Sequence, residues 1–141
     1  VVYFIILAYP TNDAAKDALL LHPNRRADGK FTIAAFNTET ADGIALYRAL
    51  IAFLAERYNG SHPDHGRVWG WIIGNEVNSQ WLWYNMGSAP MEAVCDAYEK
   101  AVRAAHGPAA LRAADIASRT SLREARGTLA TCSSSPLRAR S

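Results

Sequence analysis

Apolar residues along this chain fall into continuous runs and periodic stripes. Val1 to Ala8 is an unbroken, β-branched apolar run, the pattern of a strand covered on both faces. Tyr9 to Lys30 is mostly polar, with Pro10, Pro23 and Asp28-Gly29 as turn signals, and within it Ala14 to Leu21 suits a turn or two of helix. Phe31 to Phe36 reads as a short extended piece, after which Asn37 or Thr38 caps a helix. That helix runs from about Glu39 to Tyr58, because Ile44, Tyr47, Leu50, Ile51, Leu54 and Tyr58 recur at three- and four-residue steps while Asp42, Arg48 and Glu56 take the other side. A Gly- and Pro-containing turn over residues 59–66 ends it. Val68 to Gly74 is a second buried strand, closing on Asn75-Glu76. Pro90 at the first helical position and Glu92 open a last helix, with Met91, Val94, Cys95, Tyr98 and Val102 facing inward.

The order is strand, helix, strand, helix. Parallel strands need such crossovers, so the class is α/β, with helices packed outside a doubly wound sheet or a (β/α)8 barrel. Two strands complete neither fold.

Composition refines this picture. The chain has 141 residues, half hydrophobic and a fifth charged, which is one soluble domain and excludes collagen-like, wholly disordered and membrane-spanning classes. Its net charge of +2 is unevenly placed: residues 1–106 carry 9 basic and 11 acidic side chains, and residues 107–141 carry 6 and 2. All 14 aromatic residues lie between Tyr3 and Tyr98. The expectation is therefore a structured part over 1–106 and an Ala-, Arg- and Ser-rich basic tail over 107–141, disordered or out of frame. The first apolar run ends at Tyr9-Pro10, too early for a membrane helix, and lacks the basic lead of a secretory signal. The compartment stays open. Cys95 and Cys132 are too few for a disulfide framework or a cysteine metal site, and Cys95 reads as a small core residue.

The densest group of chemically capable residues is Gly74 to Asn85. In parallel α/β architectures binding and catalytic groups sit at the carboxyl ends of strands, where Glu76 falls. A partly desolvated carboxyl there has its pKa raised toward neutrality, as a proton donor to a leaving group requires. By alternation Trp69, Trp71 and Ile73 share one face of the strand, and Val68, Gly70, Ile72 and Gly74 the other, with Glu76 in phase with the smaller set. Joint use of Asn75 and Glu76 requires the strand to bulge or end there. Trp81, Trp83 and Tyr84 offer flat faces for pyranose rings or fill a core, and Asn78, Gln80 and Asn85 suit sugar hydroxyls or loop capping equally.

The run Trp71-Ile72-Ile73-Gly74-Asn75-Glu76 resembles the end of the fourth barrel strand in clan A glycoside hydrolases. Ala34-Ala35-Phe36-Asn37, Phe53 to Tyr58, Ile73 to Trp81 and Trp83-Tyr84-Asn85-Met86-Gly87 together resemble more closely a bacterial group of barrel domains of uncharacterised function related to that clan. The resemblance implies about two strand-helix units of a partial (β/α)8 TIM barrel, with Glu76 as general acid/base and Asn75 as ligand of the sugar 2-hydroxyl. Asn78, Gln80, Trp81, Trp83 and Tyr84 join them as substrate-binding candidates. The implied activity is retaining hydrolysis of β-linked poly- or oligosaccharide, with the nucleophilic carboxylate missing from this chain and the isolated chain inactive. A non-catalytic carbohydrate-binding barrel or pseudo-enzyme, and a frameshifted product without a function of its own, are the alternatives.

Other polar clusters point elsewhere. His62, Asp64 and His65 lie in a turn leading into the amino end of a strand and read as solvated, so no metal or other cofactor is expected. His22 reads as a surface loop residue. Tyr9, Asn12 and Asn37 follow strand ends and offer a weak cleft signal. The tail arginines have no interleaved aromatics, so neither nucleic acid nor membrane is an expected partner. Self-association through uncovered apolar faces, Trp69 and Trp71 among them, is expected.

Overall fold

The two apolar runs pair with each other. In the computed structural model, which describes residues 1–28 and 33–107, β1 (Tyr3–Ile6) and β2 (Gly70–Ile73) form a two-stranded parallel sheet, with Tyr3 opposite Gly70 and Ile6 opposite Ile73. Main-chain bonds from Trp69 N to Val2 O (2.9 Å) and from Gly74 N to Ile6 O (3.0 Å) extend the pairing at both ends. Helices α1 (Ala14–Leu20) and α2 (Ala41–Arg57) supply the crossover, and α3 (Met91–Ala105) follows β2. This is a mixed α/β arrangement. The tail from residue 108 on and the start of the extended piece at Phe31 lie outside the described residues.

Burial of the sheet is one-sided, where both faces were expected to be covered. Phe4 meets Tyr58 and Trp71 edge-on at 4.8 and 5.5 Å, and Ile6 and Ile73 pack against the main core cluster, to which α2 and α3 contribute. Partners in a parallel ladder share a face, so Tyr3, Ile5 and Ile72 lie on the other side, and they remain 58%, 51% and 42% exposed. Trp71 is therefore part of the packed side, whereas Trp69 is exposed and lies beneath the Arg67 guanidinium.

The segment Ile33 to Thr38 is buried throughout and ties the separate parts together. Ala34 N donates to Ala8 O, Ala35 N to Asn85 O, Asn37 N to Leu20 O, and Ala35 O accepts from His22 N. With so many main-chain groups bonded to distant strands and loops, this segment can sit in the core without stranded polar atoms.

Local caps set the helix starts. Asp13 Oδ1 accepts from Ala15 N and Lys16 N to begin α1. The cap of α2 falls at Thr40, whose Oγ1 accepts from Gly43 N (3.1 Å), and not at Asn37 or Thr38. Asn37 acts one step earlier: its Oδ1 accepts from Glu39 N and Thr40 N while its Nδ2 donates to Ala18 O. Its side chain is committed to structure and does not line a cleft.

The buried row on α2 is Gly43, Tyr47, Ile51 and Ala55, at four-residue steps, and Leu50, expected inside, is exposed. On α3 the buried residues are Val94, Cys95, Ala97, Ala101, Ala104 and Ala105, with Met91 half-exposed. The inner face of α3, which contacts α2, is therefore built largely from small alanines, and Met91 stands at its exposed first position. Cys95 lies among these buried residues, the small core position expected of it. Among the described residues no helix is long and apolar enough to cross a membrane.

Candidate functional site

The apolar run of β2 ends sharply because of one glycine. Gly74 has φ +76°, and a Cβ there would stand 2.9 Å from Tyr84 Cε2 and 3.1 Å from Val77 Cγ1. Both the left-handed backbone and the aromatic neighbour exclude a side chain. The pleat stops at this point, so strand parity no longer decides where Glu76 points, contrary to the alternation expected through it. Glu76 also has a positive φ, +40°, which is uncommon for a residue carrying a Cβ. The strand end that joint use of Asn75 and Glu76 demands is therefore present.

The loop that follows is folded by its own polar groups. Glu76 O accepts from Ser79 N (2.7 Å), and Ser79 O accepts from Leu82 N (2.9 Å) and Trp83 N (3.0 Å). Gln80 Nε2 donates to Ala89 O, and Gln80 O accepts from Met86 N (2.8 Å). Asn85 Oδ1 accepts from Arg26 N and Gly87 N while its Nδ2 donates to Arg26 O, so its amide ties two loops together.

These bonds sort the sequence-predicted residues. Glu76, Asn78 and Trp81 are exposed on this loop, Trp81 by 54%, and Asn75 and Trp83 are half-buried. Gln80 and Tyr84 are buried, Tyr84 to 1% exposure, so neither presents a surface to a sugar. Tyr84 stands edge-on to Tyr98 at 5.9 Å within the core. Burial pushes the Tyr84 hydroxyl well above its ordinary range, with the nearby Tyr47 and Tyr98 adding to the effect, and it does the same to Tyr47. Both are neutral core phenols. The desolvation expected around Glu76 is also not found, since the side chain is exposed and its carboxylate has no hydrogen-bond or ion-pair partner among the described residues. The turn with His62 and Asp64 is exposed, and no group of three or more His, Cys, Asp or Glu among the described residues is placed to hold a metal.

A family model described as a family of unknown function (DUF5722) matches residues 1–122. The chain belongs to that family. The match takes in the whole Gly74 to Asn85 loop of this DUF5722 chain and runs past His106. No curated protein and no solved structure matches it at a significant level.

Another group in the DUF5722 chain escaped the sequence reading. His22, expected at the surface, is 2% exposed and faces a cavity of about 510 Å³ between the entry to α2 and the first turns of α3. Glu39 and Lys100 line the same cavity and form an ion pair of 2.9 Å. The ion pair spans 61 residues of sequence, so no local motif announces it.

Proposed function

We propose that this chain carries the acid/base part of a retaining glycoside hydrolase site, built on strand-helix units of a (β/α)8 barrel and acting on β-linked poly- or oligosaccharide. The observation that carries the reading is the position of Asn75-Glu76: immediately beyond the carboxyl end of a parallel strand, on broken pleat, with Glu76 in a left-handed conformation and open to solvent. Glu76 would protonate the glycosidic oxygen and then deprotonate the water that resolves a glycosyl-enzyme intermediate. Asn75 would hold the sugar 2-hydroxyl, and Trp81 offers an exposed indole for a pyranose ring. The second carboxylate of a retaining pair belongs, on this reading, to a strand outside those described. The uncovered face bearing Tyr3, Ile5 and Ile72 is the side that further barrel strands would enclose.

A second reading, a carbohydrate-binding barrel without catalysis, is favoured by one feature. Glu76 is exposed and unpartnered, so nothing among the described residues holds its proton for donation. Both readings are tested by assaying the product of the complete reading frame for release of reducing ends from β-glucans. The catalytic reading expects Glu76→Gln to lower kcat by about a hundred- to ten-thousand-fold, the usual range for losing a general acid/base. Activity on aryl glycosides with good leaving groups should be recovered by added azide, which needs no general base. Saturable glycan binding with no turnover would leave only the non-catalytic reading, and hydrolysis indifferent to Glu76→Gln would end the first.

A further inference from the structure

The His22 cavity lies apart from the Asn75-Glu76 loop, none of whose residues line it. His22 Nδ1 accepts a hydrogen bond from Asn24 N (3.2 Å), which places the proton of a neutral ring on Nε2. Burial holds the imidazole below its ordinary pKa, so the ring is neutral at pH 7. Nε2 has no hydrogen-bond partner among the described residues: Glu39 Oε1 is 4.0 Å away, beyond hydrogen-bond reach. This leaves a ring N–H donor at the cavity that is free to meet an acceptor on a bound molecule.

The rest of the lining defines what that partner is. Lys100 is already held by Glu39, and Asp96, on the same wall, has no ion-pair partner among the described residues. Two carboxylates against one ammonium leave the lining net negative, which repels phosphates and carboxylates. Lys100 in turn opposes a small cation. What remains matched is a neutral molecule whose groups both donate and accept: hydroxyls can accept from His22 Nε2 and donate to Asp96, with Asn24 and Ser88 at hand for further hydroxyls. Met86 and Pro90 give the C–H face of such a molecule an apolar wall. The volume, about 510 Å³, falls inside the usual range for small-molecule sites.

We propose that this cavity binds a neutral polyhydroxylated small molecule, a monosaccharide or cyclic polyol, through His22 Nε2 and Asp96. The test is an NMR titration of the ¹⁵N-labelled 141-residue chain with myo-inositol and with methyl β-glucopyranoside, using inorganic phosphate as the charged comparison. Either polyol should give saturable shifts of the His22 ring nitrogens and of the Asn24 and Asp96 amides, and phosphate should give none. Asp96→Ala, at an exposed position whose loss leaves the fold intact, should weaken binding at least fivefold, while Glu76→Gln leaves it unchanged. The last variant separates this site from the proposed glycosidase centre, whose failure in a hydrolysis assay would not touch it. Absence of saturable shifts with both polyols, phosphate binding as tight as polyol binding, or full affinity in Asp96→Ala would each overturn the proposal.

Discussion

Glu76 sits in left-handed backbone that costs a residue with a Cβ about 1–2 kcal/mol, and it receives no side-chain hydrogen bond in exchange among the described residues. Strain of this kind points to a functional role, and it predicts a specific trade. Asn tolerates the same conformation better than Glu, so Glu76→Asn should raise stability by about 0.5–1 kcal/mol while removing the proposed acid/base. Urea unfolding reads this as a higher midpoint with an unchanged slope; a lower midpoint would mean that the carboxylate supports the loop. His22 makes the opposite kind of demand, because it is folded away in its neutral form. Its pKa lies below the ordinary 6.5 through burial and Lys100, with Glu39 pulling the other way. Between the folded and unfolded values the unfolded chain binds the additional proton, so this contribution to stability is complete above about pH 6.5 and declines as pH falls through that window. His106, also lowered by burial, acts in the same direction. Thermal midpoints should therefore drop on acidification below neutrality, and His22→Gln should flatten the dependence without abolishing it. An unaltered slope in that variant would remove His22 from the explanation.

At the scale of elements, the tightest junction is where α2 begins. A Cβ on Gly43 would lie 2.5 Å from Asn37 O and 2.7 Å from Asn37 Cγ. Asn37 cannot withdraw, because its amide bonds to Ala18 O and to the main chain of Glu39 and Thr40. Helix propensity alone favours Gly43→Ala by about 1 kcal/mol. Overpacking costs about 1–3 kcal/mol and should outweigh it, giving a net loss that calorimetry would register as a lower Tm. A rise in Tm would show that the junction gives way. This junction also explains what the amino-acid pattern discloses and what it conceals. Long periodic stripes announce α2 and α3, and the end of an apolar run places Glu76 at a strand end. The faces are another matter, since Leu50, Phe53 and Leu54 spread apolar character around α2 while the residues that pack most closely, Gly43, Ala55, Ala97 and Ala101, are small and carry little hydropathic signal. Glu76 was expected in phase with Ile72 because alternation presumes an unbroken pleat, and the left-handed Gly74 breaks it. His22 was hidden for a third reason: its burial depends on Ala35, Glu39 and Lys100, which only the tertiary fold brings to it.

For the whole molecule, the one-sided sheet is the feature with the largest consequence. Tyr3, Ile5 and Ile72 stand about half-exposed on the uncovered face of the two neighbouring strands. A contiguous apolar surface of this kind drives association, because each copy removes the other's apolar area from water. The free edges of a two-stranded sheet offer a second route through main-chain pairing. The two routes respond differently to substitution. Ile5→Lys and Ile72→Lys place charge on the uncovered face and should abolish association driven by apolar contact, with little effect on Tm because both side chains already meet solvent. Edge pairing uses main-chain groups and is disturbed far less by such changes. Phe4→Lys provides the contrast: Phe4 packs on Tyr58 and Trp71, so a charge there should destabilise the fold itself. Sedimentation velocity across a wide concentration range is therefore expected to show self-association of the unaltered chain and a monomer for the Ile5→Lys, Ile72→Lys double variant. Association that persists in the double variant would assign it to the strand edges, and a chain monomeric at every concentration would show that this face does not drive association.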